Sequence, residues 1–208
     1  MIGCNASADS VVDITMTAGT LDLQAGTDAI DQLIVRNTGS GAVTLKSGTF
    51  DRVDRLSGLL NVDASAVVTE FNGVSGLTRE IGANGTAITT FRQMGGYTLS
   101  RRTLTTWDNN GTLNLVDNAD YTTGNQHEGV CNDRSTADKG TLNVYGGRFT
   151  PAGAPFGYTI STLNWYGGQV ADQAGGVQLI ITTSNNFAGG SYFQDSPGGG
   201  YDVPVGPL

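Results

Sequence analysis

Apolar and polar residues alternate in short runs along this chain, and each run ends in a turn dipeptide, most often with Gly. The dipeptides are Ala25-Gly26, Ser47-Gly48, Asn72-Gly73, Gly95-Gly96, Asp117-Asn118, Gly146-Gly147, Gly167-Gly168 and Gly189-Gly190, with steps of 22, 25, 23, 22, 29, 21 and 22 residues. Four residues before the pair stand Leu21, Val43, Val68, Phe91, Leu113, Leu142, Leu163 and Asn185. Two before it stand Leu23, Leu45, Glu70, Gln93, Leu115, Val144, Trp165 and Phe187, and the position between is always polar. Apolar-polar-apolar alternation is the period of a strand with one buried face. A residue that tolerates positive φ turns the corner after it.

A repeat period of 20 to 50 residues marks a solenoid or array. The clearest copies are Gly140-Thr-Leu-Asn-Val-Tyr-Gly-Gly147 and Ser161-Thr-Leu-Asn-Trp-Tyr-Gly-Gly168. Further β-branched runs, Ile30 to Val35, Leu59 to Val62, Tyr97 to Leu99, Tyr158 to Ile160 and Val177 to Ile181, supply a second or third side to each coil. No stretch has a 3.6-residue apolar period. The pattern predicts an all-β chain: a single-stranded parallel β-helix, or β-solenoid, of about eight coils near 22 residues each. Right-handed crossover is the rule for parallel strands. Residues 1–19 read as an N-terminal cap or arm, 20–195 as the solenoid and 196–208 as an extended C-terminal arm.

Composition sharpens this picture. Gly is 31 of 208 residues and only 14% are charged, which suits many corners and a surface of Thr, Asn and Ser. The net charge of −8 and scattered Lys and Arg argue against nucleic acid and anionic membranes as partners. No apolar run approaches the length of a membrane span, and residues 1 to 10 have neither the basic region nor the apolar core of a signal peptide.

Candidate chemistry is thin. Cys4 and Cys131 are one possible disulfide or two free thiols, with no CxxC metal pattern. Polysaccharide-cleaving sites use paired carboxylates, and the candidates are Asp51 with Asp54, Asp108, Asp117 with Asp120, and Asp133 with Asp138. Asp117 and Asp120 fit corner chemistry equally well, and His127 has no neighbouring nucleophile pattern. The expectation is no catalytic, cofactor-binding or metal-binding residue, and no enzyme.

Three interruptions of the period carry more information. The 29-residue step implies an insertion within 122–139, and insertions in repeat proteins map to one face. The tail after residue 195 holds three of the five prolines and apolar points at Tyr201, Val203, Val205 and Leu208. These four residues, with His127 and Arg134 in the insertion, are the candidate partner-binding positions. Third, Thr90, Thr112, Thr141 and Thr162 recur five residues before the turn, beside Asn114, Asn143, Asn164 and Asn186. Such a Thr-x-Asn array faces ice, a glycan or a protein neighbour, or it stabilises the coils by bonding its own counterparts. Arg92 and Asp22 interrupt the regularity that ice would require.

The Thr-Leu-Asn-Val/Trp-Tyr-Gly-Gly rungs and the Thr/Asn/Gly-rich surface resemble the β-solenoid proteins of bacteriophage virions, namely tailspikes and capsid decoration (cement) proteins. The resemblance is one of rung style over residues 20 to 193, without a shared diagnostic motif. It implies a structural protein at the capsid surface that binds the major capsid protein or other shell subunits, as a homo-oligomer with a trimer favoured. The alternative is an extracellular or tail-associated module that binds or cleaves glycans, with Trp107, Tyr145, Trp165 or Tyr166 as sugar platforms.

Overall fold

The computed structural model describes residues 2–4, 10–83, 86–151, 158–171, 179–187 and 191–193, and every regular element among them is a β-strand. The chain winds as a parallel β-solenoid of about nine turns. Each turn contributes one strand to sheet I and one to sheet II. Sheet I contains Thr20–Ala25, Leu59–Val62, Leu77–Ile81, Tyr97–Ser100, Thr112–Asp117, Val130–Ser135 and Arg148–Pro151. Sheet II contains Ile30–Arg36, Ala66–Gly73, Ile88–Gln93, Leu104–Asn109, Tyr121–Gln126, Lys139–Val144, Tyr158–Trp165 and Leu179–Asn186. The long strand Ala42–Ser57 bends from one sheet into the other.

Between the sheets lies a narrow apolar core. On the sheet II side Leu33, Val53, Phe71, Phe91, Trp107, Gly124, Leu142 and Leu163 stand in one registered column. All of these but the glycine are buried. Phe71 and Phe91 stack with centroids 5.1 Å apart, and Trp107 meets Tyr121 edge-on. Below the corner, an inward polar side chain ties down the turn that follows it. Gln93 Nε2 donates to Gly95 O at 2.8 Å, Asn109 Nδ2 to Gly111 O at 3.2 Å and Trp165 Nε1 to Gly167 O at 2.9 Å.

The corner from sheet II into sheet I is set by a column of glycines: Gly58, Gly76, Gly96, Gly111, Gly129, Gly147 and Gly168. From Gly58 to Gly147, each accepts a hydrogen bond from the residue after the next glycine in the column. Six of the seven have positive φ, between 64° and 89°. A side chain is excluded for a second reason. A Cβ at Gly147 would lie 2.6 Å from the carbonyl oxygen of Gly129, and one at Gly111 would lie 2.8 Å from that of Gly96. Only glycine permits both the turn and the 4.8 Å approach of stacked coils.

The parallel solenoid and the inward Leu142 and Leu163 match the sequence pattern; the coil length does not. In sheet II successive register partners are 16 to 21 residues apart. Leu113 belongs to sheet I, paired with Cys131, and is not in the column of Leu142 and Leu163. The expected insertion at 122–139 is ordinary coil, since Tyr121–Gln126 and Val130–Ser135 are strands of sheets II and I. Within the segment expected as a cap, Ile2–Cys4 and Val11–Ile14 pair with the next coil. The reason is geometric: turn dipeptides occur at both ends of the coil. Asp117-Asn118 closes a sheet I strand whereas Gly146-Gly147 follows a sheet II strand, so that step spans a coil and part of another.

Candidate functional site

The outer face of sheet II carries three parallel ladders. Thr90, Thr106, Thr123, Thr141, Thr162 and Thr183 are successive register partners, one per coil. Two residues further along each strand come Arg92, Asp108, Asn125, Asn143, Asn164 and Asn185. Two further still, at the corner, come Met94, Asn110, His127, Tyr145, Tyr166 and Phe187.

The Asn ladder is satisfied from within. Asn143 Nδ2 donates to Asn125 Oδ1 at 2.7 Å, Asn164 to Asn143 at 2.8 Å and Asn185 to Asn164 at 2.8 Å. Asn125 in turn donates to Asp108 Oδ1 at 2.8 Å, so a carboxylate terminates the chain of amides. Toward the N-terminus the same column becomes ionic. Arg92 bridges Glu70 at 2.7 Å, and Asn72 donates to Asp54 at 2.8 Å. Burial pushes the Asp54 carboxyl up, but hydrogen bonds from Arg52, Gln32 and Asn72 outweigh it and hold the group below its ordinary range.

The six Thr hydroxyls differ from the amides. None of them has a hydrogen-bond partner among the described residues, while their Cα atoms follow the 4.8 Å spacing of parallel strands. The self-bonding expected of both columns therefore holds for Asn and fails for Thr.

At the corner the rings of His127, Tyr145, Tyr166 and Phe187 stack one on another, with centroid separations of 5.0, 4.8 and 4.6 Å and planes within 9° of parallel. His127 Nε2 also lies 3.6 Å from Asp108 Oδ1. Five of the eight exposed large apolar side chains, Val74, Met94, Tyr145, Tyr166 and Phe187, project from this one corner. Scattered apolar residues need no explanation, whereas a contiguous line of them marks an interaction surface. Phe187 is a correction to the sequence reading, which placed it inward. The last turn was anchored one residue late, and a one-residue slip in a strand moves a side chain to the opposite face. The same slip selected Asn186 where Asn185 continues the ladder.

From Tyr121 onward the three ladders form a face without any Asp, Glu, Lys or Arg. Its coils read Thr-Thr-Gly-Asn (122–125), Gly-Thr-Leu-Asn (140–143), Ser-Thr-Leu-Asn (161–164) and Thr-Thr-Ser-Asn (182–185), each followed two residues on by a ring. The four coils span about 15 Å along the axis. In a chain of charge −8 this neutrality sets the face apart.

Other sequence candidates fall elsewhere. Arg134 is exposed on sheet I, away from His127. Trp107 is fully buried and Trp165 nearly so, which removes both as sugar platforms. Tyr201, Val203, Val205 and Leu208 lie outside the described residues. The carboxylates have structural partners: Asp117 pairs with Arg101, Asp120 caps the Tyr121 amide at 2.6 Å, and Asp138 accepts from the Thr159 amide at 2.8 Å. Asp133 is fully buried, its carboxyl pushed up by burial, and bonds Ser135. Cys131 is a buried free thiol whose pKa burial pushes well up. Among the described residues no three His, Cys, Asp or Glu side chains are grouped to hold a metal ion, and no helix is long and apolar enough to cross a membrane. No family model, curated protein or solved structure matches the chain.

Proposed function

We propose that the protein is a structural solenoid that attaches side-on to a repetitive protein surface, as a capsid decoration or cement protein does on a virion. The charge-free Thr/Asn/aromatic face of sheet II is the attaching surface. Its partners are shell subunits, with further copies of the chain joining through the same face into a homo-oligomer, a trimer in the first instance. One observation carries this reading: four consecutive coils expose amides, hydroxyls and ring edges but no ionic group. Charged residues are depleted and tyrosine is enriched at the centres of protein interfaces. Along the flanks the backbone N–H and C=O groups are committed coil to coil, so lateral binding proceeds through side chains without strand addition.

A neutral glycan is the second reading, favoured by the unpartnered Thr hydroxyls beside the ring edges. The inner rings of the stack already have both faces covered by neighbours, and sugars prefer ring faces, so the protein partner is favoured. The discriminating experiment sediments the purified protein with intact particles of the virus whose genome encodes it, alongside a screen on immobilised neutral polysaccharides. Saturable co-sedimentation without glycan binding supports attachment to a shell. Binding to a polysaccharide alone transfers the face to the second reading.

A further inference from the structure

The N-terminal half of the core contains two buried guanidinium groups, and the protein treats them differently. Arg102 is 1% exposed and aims its N–H groups at backbone carbonyls: Ala66 O at 2.8 Å, Gly82 O and Asp63 O at 3.2 Å, and Ala64 O at 3.5 Å. These carbonyl dipoles compensate the charge. Arg55 is 0% exposed and is served on one side only. Its Nη1 reaches Tyr97 O at 2.9 Å, the Thr78 hydroxyl, and the Thr98 hydroxyl at 3.4 Å. Its Nε and Nη2 have no hydrogen-bond partner.

The two unserved nitrogens are not a random pair. The Nε–H and the adjacent Nη2–H form the parallel two-pronged edge with which arginine grips an acceptor. No ion pair to Arg55 exists among the described residues. Gln93 Oε1, near Nη2, accepts from the Thr98 hydroxyl at 2.8 Å instead. The register partner of Arg55 in the next coil is Gly73, where a Cβ would stand 2.6 Å from Nη2 and 2.9 Å from Gln93 Oε1. The missing side chain of Gly73 thus gives the guanidinium its place in the core. The Phe71 ring, 5.7 Å from Cζ, offers its face to the cation but no acceptor atom. Burial lowers the Arg55 pKa to about 10, which leaves the group charged at neutral pH.

We propose that Arg55 holds a small monovalent anion of the halide class inside the solenoid, gripped by its Nε–H and Nη2–H. A single charge matches the single buried cation, and a one-atom anion accepts both parallel N–H groups at once. A buried charge without a counter-charge is among the costliest features a core can contain. This site is independent of the outer face and of any partner bound there.

The test is thermal unfolding of the intact protein in sodium chloride against sodium gluconate at constant ionic strength, with Arg55→Met as comparison. Above the dissociation constant each tenfold rise in chloride multiplies the folded-to-unfolded ratio about tenfold, or about 3–5 °C in Tm. The wild type is expected to follow that trend and Arg55→Met to lose it. Bromide-soaked crystals of the wild type supply a second readout that stands even if the variant does not fold. An anomalous peak within contact of Arg55 Nε and Nη2 supports the site. A Tm independent of chloride, an equal dependence in Arg55→Met, or only a water at that edge overturns it.

Discussion

Replacing Gly124 by Ala tests the register of the core directly, because its effect depends on a residue seventeen positions away. Gly124 follows Trp107 in the inward column, and a Cβ there would stand 2.8 Å from Trp107 Nε1 and closer still to Cε2 and Cζ2. The indole cannot swing aside, being fully buried and packed edge-on against Tyr121 at 5.4 Å. Overpacking of this kind costs about 1–3 kcal/mol. Gly124 has no positive φ, so alanine also stiffens the unfolded chain and returns about 0.4–1 kcal/mol. The clash is the larger effect. The net expectation is about 1–2 kcal/mol of destabilisation, or about 3–6 °C in Tm. Trp107→Leu removes the clashing atoms at its own cost of about 2–4 kcal/mol for the cavity. In that background Gly124→Ala should be nearly neutral, a coupling of about 1 kcal/mol or more. Urea unfolding followed by far-UV circular dichroism measures all four proteins, since one of the two tryptophans is altered. A single mutant within about 0.5 kcal/mol of wild type, or the same penalty with and without the indole, refutes this packing.

Asn143→Ala breaks two ladder bonds, of 2.7 and 2.8 Å, and should cost about 1–2 kcal/mol in denaturant unfolding. Thr141→Val, whose hydroxyl has no partner among the described residues, should change stability by less than about 0.5 kcal/mol; an equal cost for both would mean that Thr also holds the coils. The depressed Asp54 carboxyl contributes stability above the unfolded carboxylate pKa near 4, and loses it as pH falls through its own lower value. The Tm gap between wild type and Asp54→Asn should therefore narrow below about pH 4, and a gap constant from pH 7 to 3 contradicts the assignment.

The alternation of Leu142, Asn143 and Val144 was enough to read a strand with one face inward, and the glycines were enough to read corners. What the local pattern did not reveal is which corner each glycine occupies. The glycines before Leu59, Leu77, Tyr97, Thr112, Val130, Arg148 and Gln169 form the true column, but their spacing varies from 15 to 21 residues. A search for a constant step instead joined corners of different kinds. That error made 122–139 look like an insertion and put Phe187 inside. His127, Tyr145 and Tyr166 were visible as candidates. Their stacking was not, because it depends on register partners a full coil apart. Arg55 was hidden for the same reason, since its acceptor Tyr97 O lies two coils away along the chain.

The central claim is that the charge-free half of sheet II makes the attachment, and a charge placed in it is the most direct test. Thr141→Glu combined with Thr162→Glu puts two carboxylates on adjacent coils of the face while leaving the backbone ladder intact. Arg134→Glu makes a charge change of the same size on sheet I. With folding of each variant confirmed by circular dichroism, co-sedimentation with particles gives the affinities. Desolvating unpaired carboxylates in an interface costs several kcal/mol, so the double variant should bind at least about tenfold more weakly while Arg134→Glu binds like the wild type. Undiminished binding by the Thr141/Thr162 double variant, or a loss with Arg134→Glu alone, contradicts the claim.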